Sequence, residues 1–192
     1  MFHYFTKPRV IPNFLTDEEI DYIKQNTTGK FSKSGVSASI SSQSTNFNKR
    51  ISETAWIDHK NHILKQISDK CATILDKKQI NHEDLQVVYY KTGGYFKPHQ
   101  DCGYEKCTRM YAFIMALNDD YEGGETEFPN LDMKYKLNKG DALFFHLKDN
   151  HGLETSSALH GGLPVKSGEK LICNLWVHRG DGHRSGTVCW MV

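Results

Sequence analysis

The chain has 192 residues, a formal net charge of +1 and 38% hydrophobic residues, which suits one domain over 1–192. No apolar run reaches the ~18 to 20 residues needed to cross a membrane, and Met1–Arg9 lacks a secretory apolar stretch, so a soluble, cytoplasmic protein without a membrane partner is expected. Without a long basic or acidic run there is no electrostatic footprint for a polyanion, and no nucleic-acid partner is expected.

Leu15-Thr16-Asp17-Glu18-Glu19-Ile20 predicts a helix start. Thr16 caps, Glu19 completes a capping box, Leu15 and Ile20 form a hydrophobic staple, and the helix should run to about Gln25. Residues 30–48 hold seven serines without apolar periodicity, so they read as a connecting loop or as a lid over an active site. From Ile57 to about Asp76, Ile57, Ile63, Leu64, Ile67, Cys71, Ile74 and Leu75 recur at helical spacing, as in a helix bracing a sheet. His59 and His62 on that helix read as solvated surface residues, because no third ligand accompanies them.

Beyond residue 85 the pattern changes to short strands separated by Gly, Asn and Asp turns: 86–91, 95–101, 109–117, 126–128, 133–137, 142–147, 171–178 and 187–191. Eight short strands after helices predict an α+β chain with a double-sheet jelly roll and helices packed on one face. In this reading residues 1–84 are helical support with a possible lid, and 85–192 are the catalytic core. Five cysteines are an odd count with no framework spacing. Reduced thiols are expected, including Cys102 and Cys107 beside the 95–101 strand.

That strand ends in His99-Gln100-Asp101. Residues i and i+2 of a strand point the same way, so His99 and Asp101 can reach one ion, with His160 arriving from another strand. Two histidines and a carboxylate occupy one face of an iron octahedron and leave the other open, the ligand set of non-haem Fe(II) oxygenases. Lys170, ten residues after His160, is placed to receive the far carboxylate of a diacid. His146 and His151 are rejected as the third ligand, and Glu122, Glu125 and Glu127 read as turn and strand-edge charges.

Four blocks carry a family resemblance. They are Gln86–Tyr90 through Gly93–Asp101, Gly123–Pro129, Lys139–Phe145, and Leu159–Val165 through Gly168–Lys170 with Trp176. In order and spacing they resemble the prolyl 4-hydroxylases, and Arg50-Ile51-Ser52 resembles a short upstream motif of that family. The resemblance implies a double-stranded β-helix, Fe(II) on His99, Asp101 and His160, and 2-oxoglutarate paired with Lys170. Tyr90 and Thr126 match residues near the far carboxylate of that co-substrate. Lysine at 170, where many related oxygenases use arginine, resembles the collagen-type and plant-type enzymes. The implied reaction hydroxylates peptidyl proline with dioxygen, releases succinate and carbon dioxide, and uses ascorbate to rescue oxidised iron.

Arg109, Trp176 and His178 are candidates for contact with a proline-rich peptide or protein, Trp176 alternatively being a core residue. A ring beside a positioned donor suits a polyproline II segment. The alternative substrate is a free amino acid, another side chain or a nucleobase. The sequence departs from the family pattern at Phe96 (usually tyrosine), at Leu163 (often cysteine) and at Leu171 (often tryptophan). The oligomeric state is not legible in the sequence.

Overall fold

The computed structural model describes residues 2–35, 49–102 and 107–180. In chain order the elements are β1 (Arg9–Ile11), α1 (Asp17–Thr27), β2 (Ser32–Lys33), β3 (Arg50–Ile51), β4 (Glu53–Ile57), α2 (His62–Ile74), β5 (Leu85–Tyr90), β6 (Tyr95–His99), β7 (Arg109–Ala116), β8 (Glu122–Gly123), β9 (Thr126–Phe128), β10 (Met133–Tyr135), β11 (Ala142–His146), β12 (His160–Gly162), β13 (Val165–Ser167) and β14 (Lys170–His178). Seven strands form one sheet in the order β1-β11-β7-β14-β5-β4-β2, and five form a second in the order β10-β9-β12-β6-β3. β8 and β13 pair separately. The pairings within all three sheets are antiparallel.

The alternation of side chains along a strand divides the apolar residues into two cores. Leu85 and Val87 of β5, Phe113 and Met115 of β7, and Cys173, Leu175 and Val177 of β14 face the helices. There they meet Ile20 and Ile23 of α1 and Ile63, Leu64, Ile67 and Cys71 of α2. Val88, Ala112, Ile114, Ala116, Ile172 and Trp176 lie in the second core with Phe128 and Phe145, between the two sheets. This is the double-stranded β-helix expected from the strand pattern, with the helices on the outer face of the larger sheet. Each fully buried Leu or Ile of the helical layer contributes roughly 1.5–3 kcal/mol.

α1 starts as its sequence predicts. Thr16 Oγ1 accepts from the Glu19 amide at 3.3 Å, and Glu19 Oε2 accepts from the Thr16 amide at 2.8 Å. Glu19 also receives Lys70 Nζ at 2.6 Å, tying α1 to α2.

Other boundaries differ. Ile57 ends β4, so α2 begins at His62, where Asn61 caps it by accepting from the Ile63 amide. Periodicity alone ran the helix back through Ile57, because one buried apolar residue fits both patterns. His59 lies in the intervening turn, with Nδ1 3.2 Å from Asp84 Oδ1. β1 to β4 add strands from the first 57 residues to the outer parts of both sheets. Most of the 30–48 segment and the 187–191 strand lie outside the described residues. Among the described residues no helix is long and apolar enough to cross a membrane.

Candidate active site

The site lies between the sheets, with His99 and His160 on the smaller one and Lys170, Tyr90 and Trp176 on the larger one. His99 ends β6 and His160 begins β12, and the two are direct cross-strand partners, which brings their rings to 4.5 Å. β12 approaches β6 this closely because residue 161 is glycine. A Cβ there would lie 2.9 Å from both the Phe96 carbonyl oxygen and the Pro98 nitrogen. Asp101 completes the set, with Oδ1 3.4 Å from His99 Nε2 and Oδ2 3.5 Å from His160 Nε2. The three ligand atoms all lie within 4.8 Å of one another.

The tautomers suit a metal. His99 Nδ1 lies 2.9 Å from the Lys97 carbonyl and His160 Nδ1 lies 3.0 Å from that of Ala158. A carbonyl only accepts, so each Nδ1 carries the proton and each Nε2 turns its lone pair toward Asp101. Burial pushes the His160 imidazole down to about 4, against the pull of Asp101, so it is neutral at pH 7. Burial alone would raise the Asp101 pKa, but His160, His99 and Arg109 outweigh it and hold the carboxyl well below the usual range. Two imidazole nitrogens and an ionised carboxylate on one side of a point are a fitting donor set for Fe(II). Phe96 stacks on His99 at 3.6 Å and Phe145 meets His160 edge-on at 4.8 Å, giving the site apolar walls.

One end of the bay is closed by Lys170, Tyr90 and Gly124. Lys170 opens β14 as the cross-strand partner of Tyr90. Its side chain is buried, with Nζ 2.6 Å from the Gly124 carbonyl and 5.4 Å from the centre of the Tyr90 ring. Gly124 has φ +66°, and a Cβ there would sit 3.2 Å from Lys170 Cδ, so glycine keeps the lysine channel open. Burial pushes the Lys170 pKa down to about 8, with repulsion from Lys136 adding to it and Glu125 opposing. Burial raises the Tyr90 hydroxyl pKa, against the effect of Arg50, which hydrogen-bonds it. Thr126 is buried on β9 of the opposite sheet, paired with Gly162.

At the other end Trp176 donates from Nε1 to Asp101 Oδ2 at 2.8 Å. The Arg109 guanidinium covers its ring at 4.1 Å, and Arg109 Nη1 donates to the Asp101 carbonyl at 3.0 Å. Sequence reasoning missed the residue that organises this cluster. Glu83 is buried, accepts from Arg109 Nη2 at 2.8 Å, and lies 3.0 Å from His178 Nε2. Burial raises its pKa, yet His178 and Arg109 more than offset this and keep it ionised. Glu83 precedes β5 in an irregular stretch, where no periodicity marks a buried charge. A cation opposite it, at Arg109, was the only signal.

The cysteine expectation is corrected. Cys102 and Cys107 form a disulfide, with Cα atoms 5.5 Å apart. It spans the link from β6 in one sheet to β7 in the other. The odd count concealed the pair: Cys71 and Cys173 are buried in the helical core as free thiols, and the fifth cysteine, Cys189, lies outside the described residues.

Residues 85–178 match the model of the 2OG-Fe(II) oxygenase superfamily, and the jelly roll with its two-histidine, one-carboxylate set defines a protein of that class. A sequence of Acanthamoeba polyphaga mimivirus that carries the prolyl 4-hydroxylase name is 35% identical, over 90% of this chain and 74% of its own length. The Arabidopsis thaliana sequence named as prolyl 4-hydroxylase 6 is 30% identical, over 92% of this chain and 70% of its own. The crystal structure of a viral collagen prolyl hydroxylase from Paramecium bursaria Chlorella virus-1, solved as a 2OG complex, superposes with a TM-score of 0.72. It shares 32% identity, over 90% of this chain and 96% of that one. The chain belongs to the prolyl 4-hydroxylase family of Fe(II)- and 2-oxoglutarate-dependent dioxygenases.

Proposed function

We propose that this enzyme hydroxylates prolyl residues at C4 in a proline-rich peptide segment, consuming 2-oxoglutarate and dioxygen and releasing succinate and carbon dioxide. One observation carries the reading: a metal-ready His99–Asp101–His160 face and a buried cation, Lys170, share one bay between the sheets. The family names of its relatives support proline as the target. Bound iron with 2-oxoglutarate supplies an oxidant able to break a C–H bond, coupled to loss of carbon dioxide from the co-substrate.

The chain's own groups divide the remaining work. His99, Asp101 and His160 would hold the metal through two imidazole nitrogens and a carboxylate oxygen, with room left for co-substrate and dioxygen. Lys170 receives the far carboxylate of 2-oxoglutarate, with Tyr90 donating its hydroxyl and Thr126 on the facing sheet. Trp176 fixes the orientation of Asp101 through its indole N–H. Phe128, Phe145 and Ile172 keep the bay apolar and limit water around the reacting atoms. Arg109 and His178, half-buried beside Trp176, form the rim that an extended peptide meets. Their common partner Glu83 fixes both side chains in advance.

The test is mass spectrometry of proline-rich peptides incubated with enzyme, Fe(II), 2-oxoglutarate, ascorbate and air. One added oxygen on proline, lost without 2-oxoglutarate, is the expected result, and NMR of the product places it on C4. Succinate formation with no oxygen on any proline would discard the peptidyl-proline reading and leave another hydroxylation target.

A further inference from the structure

Along the inner face of β14, Asn174 stands between two residues with assigned work, Lys170 and Trp176. It is the cross-strand partner of Gln86 on β5 and of Ile114 on β7. Its Nδ2 donates to Gln86 Oε1 at 3.0 Å. Its Oδ1 is the one buried side-chain nitrogen or oxygen among the described residues without a hydrogen-bond partner. Neither its partner on β7 nor its neighbours along β14 supply one. Ile114 is apolar, Ile172 and Trp176 flank it on the strand, and the Trp176 N–H is committed to Asp101. A buried acceptor left without a donor costs roughly 1–3 kcal/mol. The direction left to Oδ1 is the bay between the sheets.

Chemistry decides what fills it. Asn174 lies two residues from Trp176, so roughly 7 Å along the strand separates it from the residue that holds the metal carboxylate. Lys170 is four residues away, roughly 13 Å. Asn174 therefore faces the metal end of the bay. The carboxylates and keto oxygen of 2-oxoglutarate only accept hydrogen bonds, and so does Asn174 Oδ1. A water molecule donates two and joins two acceptors.

We propose that Asn174 is a positioning residue for the co-substrate, its Oδ1 accepting from a water that also donates to the co-substrate's metal-side carboxylate. Gln86 holds the Asn174 amide in the orientation that turns the oxygen inward. This rests on the reading of Lys170 and Asp101 as marking the two ends of the co-substrate bay.

The experiment measures Mn(II) affinity and then the dissociation constant of 2-oxoglutarate on the Mn(II)-loaded protein, by calorimetry, so that no turnover is needed. Asn174→Leu removes the acceptor while keeping the number and branching of heavy atoms and is expected to weaken 2-oxoglutarate about tenfold, the effect of one hydrogen bond to a charged group. Asn174→Ser, which keeps a hydroxyl acceptor, recovers part of that loss and carries the test if the leucine variant does not fold. Gln86→Met frees the Asn174 amide to turn but leaves its acceptor in place, so the loss is smaller, within about threefold of wild type, while Mn(II) affinity is unchanged throughout.

Wild-type affinity in both Asn174 variants would overturn the proposal. So would an equal loss in Gln86→Met, which would make the amide pair a brace between strands. Lys170→Ala is the control. If it too binds 2-oxoglutarate as wild type, the assignment of the bay has failed rather than the role of Asn174.

Discussion

At the scale of single residues, the buried charges make the sharpest predictions. Asp101→Ala removes the carboxylate from between two imidazoles, and turnover should fall below detection in a succinate assay, with metal content reduced in parallel. Lys170→Ala should weaken 2-oxoglutarate by about 10- to 100-fold, the worth of a buried charge-assisted contact, with metal affinity unchanged. The depressed Lys170 pKa adds a pH signature. In the free protein the lysine loses its proton through about pH 8, whereas a bound carboxylate favours the charged form. Co-substrate affinity should therefore be flat below about pH 8 and fall above it by up to about tenfold per unit. Titrations by calorimetry on both sides of that value would show it.

Glu83 presents the opposite case, a carboxylate whose folded pKa is lowered. Its contribution to stability is present above the ordinary glutamate range and is lost as pH falls through the lowered value. Glu83→Gln removes the buried carboxylate that pairs with Arg109 and should lower the unfolding free energy by about 3 kcal/mol, measurable by urea denaturation.

At the scale of elements, β12 is three residues long yet positions a metal ligand. Gly161→Ala should push β12 off β6, because the added carbon meets backbone atoms at 2.9 Å that cannot rotate away. Metal affinity should drop while the helical layer, on the far side of the larger sheet, keeps its far-ultraviolet circular dichroism. This strand also shows how far the sequence could be read. β7 was legible because Met110–Ala116 run apolar without a break, and β5 and β14 because β-branched and aromatic residues are dense in them. α1 was legible because Thr16 and Glu19 are chemically specific.

β12 was not legible as a strand. His160-Gly161-Gly162 has no propensity for one, and His160 was found through the family resemblance of its block, Leu159–Gly162, and the ten-residue step to Lys170. β1 to β4 were missed for a related reason: only Thr54, Ala55 and Ile57 among their residues are buried, and pairing with a neighbour rather than their own pattern makes them strands. The register of His160 on His99 depends on contacts between distant segments. It becomes visible only in the fold.

For the whole molecule, the link between the two sheets is the sensitive place, since Asp101 and Arg109 lie on either side of the Cys102–Cys107 disulfide. Closing so short a loop is worth about 2–3 kcal/mol in the unfolded chain. Cys102→Ser with Cys107→Ser should lower the melting temperature by a few degrees and reduce peptide affinity more than co-substrate affinity. Calorimetric melting and separate titrations would test both parts.

β14 has a further consequence. Cys173, Leu175 and Val177 serve the helical core, while Lys170, Asn174 and Trp176 serve the bay. Inheritance therefore acts on the two sides of one wall independently. Exchanges on the outer side alter how long the enzyme survives, and exchanges on the inner side alter what it makes. Loss or gain of a single codon within the strand exchanges the two sides at once, sending the lysine into oil and the cysteine toward iron. An engineer seeking a hardier catalyst can repack the helical side freely, provided the reading frame of that wall is kept.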